Sequence, residues 1–178
     1  MTPSDVLAFW REAGPDRWYE RDDAFDAAIR TRFLSTCDAA VRGELIGWEN
    51  SPEGALALVI VLDQFPRNMF RDDPRAYAAD PLARAVADRA LARGFDQQVD
   101  AGERLFFYLP FEHSEAAADQ ARSVALLRAL GDADSLKWAQ LHADIIARFG
   151  RFPHRNAVLD RETTPDEQAF LDGGGFKG

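Results

Sequence analysis

The chain has 178 residues, 47% of them hydrophobic, with a single cysteine, a formal charge of −9 and a pI near 4.8. That length suits one domain that buries roughly 70% of the surface its unfolded form exposes, and one cysteine excludes both an intrachain disulfide and a cysteine-built zinc cluster. The acidic balance argues against nucleic acid and anionic membranes as partners, and the longest apolar run, Ala55 to Leu62, is far short of the ~20 residues of a membrane span.

Helix signals run from end to end, and no alternating strand pattern stands out. Thr2 before Pro3 and Asp5 marks a helix start, with Leu7 and Trp10 on one face and Gly14-Pro15 as the stop. The charges at Asp5, Arg11 and Glu12 break any signal-peptide pattern, which leads us to expect a cytoplasmic protein. From Asp22, the positions Phe25, Ala28, Ile29, Phe33 and Ala40 recur at three and four, the amphipathic helix period, and Gly43 should end that helix after Arg42.

Ser51-Pro52-Glu53 repeats the cap logic. The helix that follows is apolar on all sides and should lie at the centre. Pro66 removes a backbone donor and restricts Phe65, so this helix is expected to end at Phe65. Next come a helix over 80–94 with Asp80 as cap and Gly94 as stop, and a short aromatic helix in "DAGERLFFYLP" ending before Pro110. Helices in 113–131 and 132–150 stop at Gly131 and Gly150, and a capped turn at Thr164-Pro165-Asp166-Glu167 leads into a glycine-rich end. This predicts an all-α single helical domain over residues 1–178, about seven helices arranged as antiparallel pairs because the links are short.

Two helix ends carry unusual polarity. In "LDQFPRN", Asp63 and Gln64 occupy a last turn where free carbonyls disfavour negative charge, so Asp63 needs a cation such as Arg67, while Asn68 suits the turn itself. In "RFGRFPHRN", Arg148, Arg151, His154 and Arg155 crowd one helix end just before Asn156. They are either a local anion site or staples to acids and free carbonyls. His113 is expected on the inner stripe of its helix with Ala117, Gln120, Val124 and Leu127, and His142 on another with Trp138 and Ile145. A metal centre built from the histidines with Glu112, Glu115 or Asp63 is chemically possible, but no histidine pair has the i, i+4 spacing of a zinc helix, so neither a metal nor a cofactor is assigned. Ser114 points away from its neighbour His113 in a helix, Cys37 reads as a small buried residue, and Gly173 to Gly175 precede no Lys-Ser/Thr helix, which excludes a phosphate loop.

The motifs "LDQFPRN", "PFEHSE" and "RFGRFPHRN", together with "DVLAFWREA" and "GGGF", resemble a bacterial family known as domain of unknown function 924, over nearly the whole chain. The resemblance implies a tetratricopeptide-like helical array and supplies no reaction. One departure stands at Arg11-Glu12, where the family pattern leads to expect a glycine and an aromatic after Trp10. Residues matching the motifs are Asp63, Gln64, Arg67, Asn68, His113, Glu115, Arg148, Arg151, His154, Arg155 and Asn156. If the two Phe-Pro-Arg-Asn turns meet, with His113 and Glu115 beside them, they form one polar centre. The leading expectation is a binding module holding a small anion or a peptide there. One alternative is an enzyme on a small anionic substrate, with His113 or His154 as general acid/base, Asp63 or Glu115 orienting it, and Arg148 and Arg151 as clamp. The other is a protein-binding scaffold whose polar cluster is structural.

Overall fold

The computed structural model describes residues 1–177. It is 73% helix, with nine helices and no strand among the described residues. They are α1 Pro3–Ala13, α2 Pro15–Trp18, α3 Asp23–Val41, α4 over 52–69, α5 Asp80–Ala92, α6 Leu105–Glu112, α7 Ala117–Leu130, α8 Ala133–Phe149 and α9 Pro165–Asp172. The count exceeds the expected seven partly because α2 forms after Gly14, and because the cap at Thr164 carries on into two full turns. None of these helices is long and apolar enough to cross a membrane.

The local signals hold where they depend on local chemistry. Thr2 and Thr164 each make a reciprocal capping box, with Asp5 and Glu167. Ser51 accepts from the Gly54 amide, and Asp22 and Asp132 cap α3 and α8. Gly131 and Gly150 close α7 and α8 in the left-handed conformation, at φ 83° and 70°, which glycine reaches without a Cβ penalty.

Several boundaries differ from expectation. The central helix passes through Pro66 and ends at Met69, because the α-helix Pro52–Val59 widens into a π turn over Ile60–Gln64 before a fresh α turn, Phe65–Met69. The Phe65 amide reaches back five residues to the Ile60 carbonyl, so Pro66 stands in the first turn of the new segment, where a missing N–H is tolerated. The Val61 carbonyl is left over: its α donor is used by Ile60, and its π donor would be the proline nitrogen. The Cys37 thiol on α3 supplies the bond, 3.4 Å away. The aromatic helix likewise runs through Pro110 to Glu112. Only two residues follow that proline, so the cost is confined to one ladder bond at the Phe106 carbonyl. Asp80 lies inside α5, which starts from Ala79 without a side-chain cap. The Asp80 carboxylate is held instead by Arg67.

The chain divides into two compact units, the first comprising Met1–Arg71 and Arg75–Pro110, the second Asp72–Pro74 and the chain from Phe111 onward. In the first, α4 is the buried axis: every residue from Gly54 to Pro66 is buried, and α1, α3, α5 and the 3-10 turn Ile46–Asn50 pack on it. An aromatic cluster closes one side. Trp10 stacks on Trp18 at 5.7 Å and meets Phe65 and Phe106 edge-on at 5.7 Å each, while Phe33 lies 4.8 Å from Phe65. In the second unit α7 and α8 form a hairpin turned at Gly131, and Ile145, Ile146 and Phe152 make a core covered by Leu141, Phe149, Phe170 and Phe176.

Candidate functional site

The first motif turn lies in the first unit. Asp63 is fully buried. It accepts from the Gln64 amide at 2.6 Å and faces Arg67 Nη1 at 3.2 Å. Arg67 also donates to the Asp63 carbonyl at 2.7 Å and grips Asp80 at 2.9 and 3.1 Å. Burial works against the Arg67 charge, but Asp63 and Asp80 outweigh it and push its pKa further up. Asp63 does not stand in a last helical turn, because α4 runs on to Met69, but its cation is the local Arg67 as expected. Asn68 does not serve its own turn: its Nδ2 donates to Asp26 on α3 at 2.8 Å, and Arg71 pairs with the same carboxylate.

A groove of about 330 Å³ opens here, lined by Arg21, Arg30 and Arg71, by the acids Asp23 and Asp26, and by Thr31 and Asn68; Arg21 lies 3.7 Å from Asp23. Arg30 and Arg21 are exposed at its rim. The Arg30 guanidinium donates to the Met69 carbonyl and lies over the Phe70 ring at 5.5 Å, and Arg75 takes the same ring at 4.4 Å. Four arginines therefore gather around the end of α4 in a chain whose net charge is −9.

The second motif turn lies in the second unit and is organised by two acids. Glu167, 2% exposed, receives Arg151 at 2.6 and 2.8 Å, the Asn156 amide at 3.2 Å and the Thr164 N–H at 2.8 Å. The Arg151 hydrogen bonds, against the cost of burial, draw its pKa down to about 2. Glu115 accepts from the Phe152 N–H at 2.8 Å and from Arg161 at 2.8 and 3.0 Å. Burial raises its pKa, and Arg161 with the Phe152 amide lowers it further than burial raises it. Arg155 donates to the His113 carbonyl at 3.0 Å and lies over Phe152 at 4.5 Å. Arg148 is exposed and rests on the rings of Phe149 and Phe170, at 4.6 and 5.7 Å. Arg148 and Arg151 therefore do not converge on one point.

His113 sits in the turn after α6, not on the α7 stripe, because α7 begins only at Ala117. His142 faces inward as expected, 7% exposed, with Nδ1 2.8 Å from both Glu112 Oε1 and the Trp138 carbonyl. His154 is held neutral: burial, then the neighbouring Arg155 charge, takes its pKa down to about 3. Among the described residues, no group of three or more His, Cys, Asp or Glu side chains is placed to hold a metal.

Sequence reasoning did not identify Asp26, Asp80, Arg161 or Glu167 as partners in these clusters. Glu167 was visible only as a helix cap. Nothing local points from Asn68 to Asp26, 42 residues away.

The family described as "Bacterial protein of unknown function (DUF924)" matches residues 6–175. The chain belongs to it. The match spans the Arg11-Glu12 departure, where Arg11 forms a two-pronged ion pair with Glu103 at 2.7 Å for each bond. Among solved structures, a DUF924 chain finds a protein of unknown function from Agrobacterium tumefaciens: 50% identity, TM-score 0.94, 97% of each chain covered. No curated protein matches.

Proposed function

We propose that this DUF924 member is a helical binding module for a small anion, carboxylate or phosphate, seated in the groove at the end of α4. The observation that carries the reading is the gathering of Arg21, Arg30 and Arg71 around one 330 Å³ groove on a strongly acidic chain. Arginine presents a planar fork matched to carboxylate and phosphate oxygens. Arg71 is committed to Asp26 and sets the wall. Arg30 stands at the exposed rim and meets the ligand, while Arg21, also exposed, is paired with Asp23 and adds to the positive field of the rim.

The motif residues take the supporting part. Asn68 fixes the groove floor through Asp26, and Arg151, Arg155 and Arg161 staple the second turn to internal acceptors. A polar cluster that closes helix ends in this way fits the structural reading of the second motif.

The test is a melting-temperature titration with inorganic phosphate and with citrate, against chloride at matched ionic strength to remove general screening. A ligand at a hundred times its Kd stabilises by about 2.7 kcal/mol, so the wild-type melt rises by several degrees while Arg30→Ala, an exposed change, shows little rise. Equal shifts in the two proteins, or no shift beyond chloride, overturn the reading.

A further inference from the structure

On α3, Asp23, Asp26, Ala27, Arg30 and Thr31 line the groove, at the three- and four-residue spacings that set side chains on one helical face. Both signs of charge are present: Arg21, Arg30 and Arg71 stand against Asp23 and Asp26, which leaves one net positive charge.

The two acids differ in their commitments. Asp26 is spent, because Asn68 donates to it at 2.8 Å and Arg71 engages both of its oxygens. The Asp23 side chain is 90% exposed and lies 3.7 Å from Arg21, beyond hydrogen-bond reach, so its carboxylate can turn to a ligand. Between Asp23 and Arg30 the face carries only the methyl group of Ala27, and Arg30 gives one nitrogen to the Met69 carbonyl, keeping further donors of its five. A plain anion suits the arginines and is repelled by Asp23. A ligand with one net negative charge and a cation of its own suits both. Asp23 and Arg30 are seven residues apart, about 10 Å along the axis. One small molecule engages both only if its charges stand at opposite ends, as the ammonium and the side-chain carboxylate of an acidic amino acid do. A groove of 330 Å³ is at the small end of ligand sites, which run from about 300 to 1,000 Å³.

We propose that the ligand of this groove is an acidic α-amino acid, its side-chain carboxylate on Arg30 and its ammonium on Asp23, an assignment that rests on the anion reading above and adds the ligand's positive end. The second carboxylate lies in the field of Arg21 and Arg71.

The experiment follows the melting temperature at neutral pH with glutamate and aspartate, each against its parent without the amine, glutarate and succinate, at ionic strength matched with chloride. An exposed ion pair changes affinity about two- to fivefold, so on wild type at least one of the amino acids half-saturates at a concentration lower than its parent by that factor. Asp23→Asn, an exposed change that leaves the Asp22 cap in place, erases the advantage while the response to the parent persists. Arg30→Ala weakens both. Parents that stabilise as well as both amino acids on wild type overturn the assignment and leave the anion reading standing. An advantage that survives Asp23→Asn also overturns it, since the ammonium would then be held elsewhere. If none of the four acids stabilises beyond chloride, the assignment and the anion reading fall together.

Discussion

The Cys37 thiol should matter through the proline it serves. Cys37→Ala removes one sulfur from a position 5% exposed, worth about 1 kcal/mol by analogy with deleting one buried methyl-sized group. It also strips the donor from the buried Val61 carbonyl. That adds about 1 kcal/mol, the low end of the range because S–H is a weak donor and a carbonyl has two lone pairs. The total expected loss is about 2 kcal/mol. Pro66→Ala creates an amide at the position that a π turn pairs with Val61. In that background the carbonyl regains a donor, and Cys37→Ala should cost only the sulfur part, about 1 kcal/mol. The coupling of about 1 kcal/mol exceeds the ~0.3–0.5 kcal/mol scatter of independent sites. Urea titrations of the four proteins, followed by tryptophan emission and by far-UV circular dichroism with the slope m checked for constancy, measure it. A coupling below ~0.3 kcal/mol would show that the thiol does not substitute for the missing amide.

Gly54→Ala, normally worth about 1 kcal/mol of added helix stability, should here lower the melting temperature by several degrees. The new Cβ runs into the Trp48 carbonyl oxygen and lies 2.9 Å from Ser51 Oγ, so backbone must shift; an unchanged or raised melt refutes this packing. His154 has a folded-state pKa near 3, against 6.5 ordinarily. Its contribution is therefore complete above pH 6.5 and is lost as pH falls from there towards 3. Nuclear magnetic resonance of the imidazole protons should find it neutral at pH 5, and a midpoint near 6.5 would refute its burial.

What was legible in the sequence is what short-range chemistry decides. Thr2, Ser51 and Thr164 cap because the amides they serve are three residues away, and Gly131 and Gly150 stop helices because the left-handed conformation is theirs alone to adopt cheaply. Pro66 misled because its tolerance rests on a π turn and on a thiol from another helix. Asp80 misled because Arg67 competes with the amides it would have capped. In the candidate site the polar residues were found and their partners were not. The Asp63–Arg67 pair spans four residues and was anticipated, whereas Asn68 to Asp26 and Glu115 to Arg161 span 42 and 46. Spacing rules carry no information at that range.

The division into units has a consequence for genetic dissection. The chain passes from one unit to the other after Arg71, returns at Arg75 and passes again after Pro110. A gene split at 110/111, the obvious place by length, strands Asp72, Asp73 and Pro74 on the wrong fragment. The same split also falls inside α6 and cuts that helix two residues before its end.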